Sequence, residues 1–181
     1  ITGPEASSQF TLLESGHYNL LLRDTDGISS AAPVDYSLWT IADEPPVIEI
    51  IFPPGDAEIN QSMTIPIKAQ ARDDFAISQV RLGCKIIKGG QADSTYRKDN
   101  FTWSRLNAES LGSGNYLVDY LWDLTNLSLL PGDEILYRLE ALDNDMVSGP
   151  KIGLSPIQRL RFPSLEEIFT RMDESQGQQV D

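Results

Sequence analysis

The stretch PGDEILYRLEALDND, residues 131–145, decides the fold that this chain is expected to adopt. It begins with a Pro-Gly-Asp turn signal. Tyr137, Leu139 and Ala141 then follow at every second position, and an Asp-Asn-Asp run closes the stretch. A period of two is typical of a β-strand that buries one face. The stretch therefore predicts a strand with turns at both ends and with the ring of Tyr137 pointing into a core.

A second copy of this pattern lies 119 positions earlier in the chain. Residues 18–26 read Tyr-x-Leu-x-Leu-x-Asp-x-Asp, and residues 137–145 read Tyr-x-Leu-x-Ala-x-Asp-x-Asp. In both copies a turn precedes the tyrosine, and a loop rich in small residues and a further strand-like segment follow the acidic pair. The repeat predicts two consecutive units of one architecture.

Outward from residues 131–145, the second unit divides into seven short segments of alternating polarity, separated by turn residues. No amphipathic helical segment interrupts them. Seven such strands in about 118 residues predict an all-β fold, an antiparallel sandwich of the immunoglobulin type. The predicted strands are Val47–Phe52, Met63–Arg72, Ile77–Ile87, Thr95–Arg105, Asn115–Asp123, Glu134–Leu142 and Ile157–Phe162.

The first unit, residues 1–44, is too short to form such a sandwich. It has room for three strands, around Phe10–Leu13, Tyr18–Arg23 and Val34–Ile41. Three strands cannot close two facing sheets, and an isolated set would expose edges that pair readily with other chains. We expect residues 1–44 to be the C-terminal strands of a truncated immunoglobulin-like domain. The alternative is that these strands dock on another partner.

The complete sandwich is expected at residues 45–163, and a change of pattern follows it. Ser164-x-x-Glu167 has the form of a capping box, and the next apolar residues fall at helical spacing. Residues 164–181 therefore predict the start of a helix. The alternative is a flexible tail, since the end of the chain is rich in Gln and Gly.

Composition narrows the classes of function. The 27 acidic residues outnumber the 14 Lys and Arg residues, giving a formal net charge of −13 at pH 7. Such a chain repels phosphate backbones, so no nucleic-acid partner is expected. Cationic partners or metal ions fit this charge better, and the alternative is that the acidic residues serve only to keep the domain soluble. No apolar run reaches the roughly 18 residues that span a bilayer, so we expect no direct membrane insertion by this segment.

Catalytic chemistry has little support in the sequence. His17 is the only histidine, and it lies on the outward face of its predicted strand, so a Ser-His-Asp catalytic triad is excluded. Cys84 is the only cysteine, which removes an intramolecular disulfide and a thiolate zinc site. The chain also lacks a Gly-rich phosphate loop before a helix. We therefore predict that it is not an enzyme.

Acidic residues cluster in three places that an immunoglobulin-like unit brings to one end: the incoming linker, the loop after the second strand and the loop before the last strand. Oxygen ligands in flexible number are typical of calcium sites, and calcium bound there would stiffen the junction between the units. The alternative is that these residues end strands by capping turns. The predicted ligands are Asp43, Glu44, Asp73, Asp74, Asp143, Asn144 and Asp145.

Three tryptophans, Trp39, Trp103 and Trp122, suggest a different function. On a sheet face they would form an aromatic platform for sugars or peptides, although core packing is the commoner use of tryptophan. The main expectation is a non-catalytic structural or interaction module. The alternatives are a carbohydrate-binding or adhesive module, and an accessory domain of an enzyme whose catalytic part lies outside this chain.

Two phrases carry a resemblance to a known family. They are Ala-x-Ala-x-Asp-Asp-x-x-Ile-x-x-Val-x-Leu at residues 69–82 and Pro-Gly-Asp-x-x-x-Tyr-x-x-x-Ala-x-Asp-Asn at residues 131–144. Over roughly residues 40–172 the chain resembles a poorly characterised family of large, membrane-anchored bacterial envelope proteins, in which sandwich repeats precede a long helical segment. The resemblance implies a periplasmic or cell-surface location. It implies no known activity and supplies no functional residues. We expect the partners to be other proteins or other domains of the same polypeptide.

Overall fold

The alternating segments of the sequence form the strands of the structure. The structure is a computed structural model. It describes residues 7–30, 32–89 and 100–177, with side chains as far as Arg171. The chain divides into two units, Ile1–Ala42 and Asp43–Asp181. In the first unit, β1 (Gly16–Asn19) pairs antiparallel with β2 (Asp35–Leu38). Tyr18 lies opposite Tyr36, and their rings stack with centroids 5.0 Å apart.

The described part of the first unit has no buried residue. The β1-β2 hairpin therefore has no core to pack against among these described residues. The predicted strand around Phe10–Leu13 is wrong, because this segment is irregular and both named side chains are exposed. Without a facing sheet, nothing fixes its apolar residues in an extended row.

The second unit has ten strands and one α-helix among its described residues. The helix is α1 (Leu165–Gly177). The strands are β3 (Val47–Phe52), β4 (Ala57–Glu58), β5 (Thr64–Arg72), β6 (Ile77–Ile87), β7 (Thr102–Leu106), β8 (Glu109–Gly112), β9 (Asn115–Asp123), β10 (Glu134–Asp143), β11 (Ile152–Leu154) and β12 (Gln158–Arg161).

These strands form two facing sheets. One has the order β3-β5-β9-β8, and the other has the order β4-β12-β10-β6-β7, with β11 also paired to β10. All the pairs are antiparallel except β4 with β12. The first order is that of strands A, B, E and D of an immunoglobulin domain, and β12-β10-β6 is that of G, F and C. The predicted all-β, immunoglobulin-like sandwich is confirmed.

The core lies between the sheets and consists of the inward residues of the alternating strands. Tyr137, Leu139 and Ala141 of β10 are all completely buried, as the opening stretch predicts. Ile67 from the facing sheet is also completely buried. Each buried Leu or Ile side chain stabilises the fold by roughly 1.5–3 kcal/mol relative to exposure. The hydroxyl of Tyr137 donates to Gln158 Oε1 on β12 (2.5 Å), which satisfies the one polar atom of this ring.

Most strand bounds agree with the prediction. Strands β3, β6 and β9 begin and end at the predicted residues, and β5, β10 and β12 differ by one residue at one or both ends. The strand predicted at Thr95–Arg105 begins at Thr102, and residues 90–99 lie outside the described residues. Strands β4, β8 and β11 were not predicted, because two to four residues are too few to show a period.

The predicted helix start is confirmed. The Ser164 amide donates to Glu167 Oε2 (2.8 Å), and the Glu167 amide donates to Ser164 Oγ (3.3 Å), which together form a capping box. Arg161 Nη1 of β12 donates to Glu167 Oε1 (2.6 Å), and Arg171 Nη1 donates to Glu58 Oε2 (2.9 Å). The helix is thus fixed to the end of the sandwich through both its cap and its charges.

Candidate cation site

The acidic residues that the sequence singles out lie on three segments at one end of the second unit, called here the acidic end. Asp43 precedes β3, Asp73 and Asp74 follow β5, and Asp143 ends β10. The register explains why they meet: Val47 of β3 pairs with Arg72 of β5, and Asp143 pairs with Ile77, the first residue of β6. The convergence of these loops at one end agrees with the expectation from the immunoglobulin topology.

Three of the carboxylates form a close group, called here the Asp triad: Asp43, Asp73 and Asp74. Each offers an oxygen atom, and these oxygens all lie within 4.8 Å of one another. Asp73 is only 5% exposed, Asp43 is half-buried and Asp74 is exposed. The triad therefore runs from the interior of the sandwich to the solvent.

Asp73 is the buried member of the triad. Its Oδ2 accepts a hydrogen bond from the Phe75 amide (3.2 Å), whereas its Oδ1 is buried and has no hydrogen-bond partner among the described residues. Burial raises the pKa of Asp73, and the charges of Asp74 and Asp143 add to this effect. The turn thus supplies a hydrogen bond to Oδ2 of Asp73 but none to Oδ1.

Gly114, in the turn between β8 and β9, holds Asp73 in place. The Asp73 amide donates to the Gly114 carbonyl (3.0 Å). A Cβ at position 114 would lie 2.0 Å from the Asp73 carbonyl oxygen, and Gly114 has a φ of +75°. Only glycine allows this approach and this backbone conformation. The local sequence gives no signal of this contact, because it joins residues that are distant in the chain.

Lys151 is the residue that the sequence analysis missed. Its Nζ lies 2.5 Å from Asp43 Oδ2, 3.0 Å from Asp145 Oδ2 and 3.7 Å from Asp143 Oδ2. Its hydrogen bonds to Asp43 and Asp145 raise the pKa of the ammonium group above its usual range. Lys151 therefore neutralises part of the acidic end. A lone lysine between a Pro and an Ile gives no signal of this in the sequence.

Asp143 and Asp145 act mainly as turn caps, which is the alternative that the sequence left open. Asp143 Oδ1 accepts from the amides of Asp145 and Lys151, both at 3.0 Å. Asp145 Oδ1 accepts from the amides of Val147 (2.7 Å) and Ser148 (3.0 Å). The Ser148 amide, the Lys151 ammonium and the Val147 amide lower the pKa of Asp145 to about 2.

The remaining two predicted ligands, Glu44 and Asn144, are exposed. The Glu44 amide donates to Asp74 Oδ2 (3.4 Å), so Glu44 lies beside the triad through its main chain. The seven predicted ligands thus divide into three groups. Asp43, Asp73 and Asp74 form the triad, Asp143 and Asp145 cap a loop around Lys151, and Glu44 and Asn144 face solvent.

The three tryptophans do not share a surface. Trp122 is 6% exposed and packs in the core beside Tyr137, with ring centroids 5.7 Å apart. Trp103 is half-buried and lies across Gly83, where a Cβ would come within 2.7 Å of the indole. Trp39 belongs to the first unit and is exposed. Trp122 therefore has no ring face to offer to a ligand.

Comparisons with known proteins add no assignment. No family model matches the chain, and no curated protein matches it significantly in sequence. Within residues 7–30, 32–89 and 100–177, no helix has the length and apolar character needed to cross a membrane.

Proposed function

We propose that this chain is a non-catalytic structural and interaction module of a larger cell-envelope protein, in which the sandwich serves as a spacer. The observation that carries the proposal is the path of the chain through the second unit. The chain comes into β3 at the acidic end and leaves from β12 at the opposite end, called here the helix end. A module of this kind separates whatever is attached to its two ends.

The strand registers support this path. Val47, the first residue of β3, pairs with Arg72 at the acidic end. Arg161, the last residue of β12, pairs with Glu134, the first residue of β10, whereas Asp143 at the other end of β10 belongs to the acidic end. Ten residues of β10 at about 3.3 Å each place the two ends roughly 30 Å apart.

The helix end has the contacts that a spacer requires. The Ile59 amide donates to the Arg161 carbonyl (2.8 Å), which joins the segment after β4 to the last strand. Arg161 also contacts Glu58 and Glu167 at once, and Arg171 of α1 contacts Glu58. Each exposed pair is worth little alone, but a network that shares its members restrains the direction in which α1 leaves the sandwich.

The envelope location and the partners rest on the family resemblance of residues 40–172. In that setting the module lies in the periplasm or on the cell surface, and its partners are other proteins or other domains of the same polypeptide. An antibody against the chain tests this by fractionation of the native cells. We expect it to detect an envelope polypeptide longer than 181 residues. Detection in the cytosolic fraction alone would overturn the location.

The spacer itself is tested by distance measurement between spin labels. Val47 is exposed at the acidic end, and Glu166 is exposed at the helix end. The double variant Val47→Cys/Glu166→Cys in a Cys84→Ser background carries labels only at these two positions. We expect one narrow distance distribution between about 30 and 45 Å, which broadens in urea. A broad distribution without denaturant would overturn the spacer role.

A further inference from the structure

We infer that the Asp triad, Asp43, Asp73 and Asp74, binds one divalent cation and that calcium is the preferred ion. The sequence predicted seven ligands for calcium at the acidic end, and the structure points to a smaller, three-carboxylate centre. The inference goes beyond the spacer role and does not depend on it, because all three residues belong to the second unit.

The spacing of the carboxylates suits a cation. Three oxygens that lie within 4.8 Å of one another are all within about 2.8 Å of a common point. Calcium binds oxygen ligands at roughly 2.3–2.6 Å, so movements of a few tenths of an ångström bring all three into its range. Such movements are available to Asp74, whose side chain is exposed.

The unpartnered oxygens of the triad are the second observation. Asp73 is 5% exposed, its Oδ1 has no hydrogen-bond partner, and the described residues give it no ion pair. A buried carboxylate that lacks a partner is costly unless it is paired, protonated or bound to a metal. Asp43 Oδ1 is likewise buried without a partner. Two buried carboxylate oxygens without hydrogen-bond partners in one acidic group are suited to bind a metal ion.

Lys151 does not meet this need. Its ammonium contacts Asp43 through Oδ2, while Oδ1 of the same carboxylate has no partner. Asp43 therefore stands between two sets of charges. On one side, the Lys151 ammonium forms ion pairs with Asp43, Asp143 and Asp145. On the other side, Asp73 and Asp74 have no ammonium partner among the described residues. Lys151 thus fixes the orientation of Asp43 and leaves the triad negatively charged.

Calcium fits this set better than magnesium does. The three carboxylates come from two separate loops and differ in burial, so they form an irregular set that is open to water beside Asp74. Calcium accepts six to eight oxygens in flexible geometry, whereas magnesium requires a near-ideal octahedron. Water and main-chain carbonyls complete the calcium shell. The bound ion would tie the segment before β3 to the turn after β5.

Thermal unfolding of the full chain in calcium chloride tests the inference. At saturating calcium we expect the midpoint of the second unit to rise by about 4 °C. Asp73→Asn should abolish this rise, and it should also raise the midpoint without calcium, because it removes an unpaired buried charge. Asp119→Asn is the matched control, since Asp119 is exposed on β9 and pairs with Lys68. It should respond to calcium as the native chain does.

Asp74→Asn provides a second variant at an exposed position, where folding is not at risk. It too should lose most of the response, and native mass spectrometry should detect one calcium per native chain. The inference is wrong if millimolar calcium shifts the midpoint by less than about 1 °C or if sodium chloride at equal ionic strength gives the same shift. An equal response of Asp73→Asn and the native chain would also overturn it. An equal or larger response to magnesium would overturn the preference for calcium. The spin-label distances are measured in a chelator, so either proposal can fail without the other.

Discussion

The two copies of the repeat, residues 18–26 and 137–145, have similar sequences but opposite surroundings. Tyr18, Leu20 and Leu22 are 39, 57 and 71% exposed, whereas their counterparts in β10 are completely buried. The difference comes from what lies opposite. Strand β10 faces the sheet β3-β5-β9-β8, whereas the β1-β2 hairpin is the only sheet in the described part of the first unit. An alternating pattern shows which face is apolar, but burial depends on a second sheet.

The first aspartate of the closing acidic pair nevertheless caps a turn in both copies. Asp24 Oδ1 accepts from the amides of Asp26 (3.0 Å) and Ile28 (2.7 Å). Asp143 Oδ1 accepts from the amides of Asp145 and Lys151, both at 3.0 Å. A carboxylate that caps its own turn needs only neighbouring residues. The comparison therefore separates structure that is encoded locally from structure that requires a complete domain.

Hydrogen exchange should give the largest difference between the copies. We expect the amides of β10 to exchange only when the second unit unfolds, with rates reduced by more than about a thousandfold. The amides of β1 should be slowed by less than about tenfold, since an isolated hairpin is marginally stable. Exchange of the native chain followed by NMR measures both in one sample. Similar protection in β1 and β10 would show that the first hairpin has a stable core of its own.

Truncation of one apolar residue in each copy should give the next largest difference. Leu139→Ala leaves a cavity between the sheets and should lower the free energy of unfolding by about 3 kcal/mol. Leu20→Ala, the matched change in the first copy, should cost less than about 0.5 kcal/mol because its side chain is exposed. Urea unfolding followed by the fluorescence of the buried Trp122 reports on the second unit. A large effect of Leu20→Ala on that transition would contradict the comparison.

The strands that could be predicted from the sequence are those whose own residues show a long alternating pattern. Strands such as β6 and β9 were predicted at their observed bounds because eleven and nine residues of alternation reveal the buried face. Edge strands such as β8 and β11 were not, since main-chain pairing with a neighbour fixes them and their side chains show no period. The strand predicted at Phe10–Leu13 failed for the converse reason, because an apolar pattern does not supply the sheet that would bury it.

The candidate site divides in the same way. The meeting of Asp43 with Asp73 and Asp74 was predictable, because topology brings their loops to one end of the sandwich. The roles of Asp143 and Lys151 were not. An aspartate that caps a turn and one that binds a metal have the same sequence signal, and only hydrogen-bond partners distinguish them. The approach of Gly114 to Asp73 joins β9 to β5 and leaves no local trace.

Removal of the capping carboxylates should give a smaller difference. Asp143→Ala leaves two amides unpaired at a fully buried position and should cost about 2 kcal/mol. Asp24→Ala removes a cap that water can replace, so it should cost at most about 1 kcal/mol and act only on the first unit. Asp143→Asn keeps an acceptor and should recover most of the loss. Equal costs for Asp143→Ala and Asp143→Asn would show that the charge, not the cap, is what stabilises this loop.

The pH dependence of the melting midpoint should show the smallest effect, and Asp145 and Asp73 should change it in opposite directions. The pKa of Asp145 is lowered to about 2 in the folded chain, so its contribution is fully present above the usual pKa near 3.8 and is lost as the pH falls towards 2. The pKa of Asp73 is raised, so its protonation favours the folded state as the pH falls through the raised pKa towards the usual value near 3.8, which is a range above that of Asp145. Melting midpoints of the second unit between pH 6 and about 2 should therefore decline less steeply in Asp145→Asn and more steeply in Asp73→Asn than in the native chain, by a few degrees. If both variants changed the slope in the same direction, the division of the acidic end into a loop bound by Lys151 and a triad without enough positive charge would be wrong.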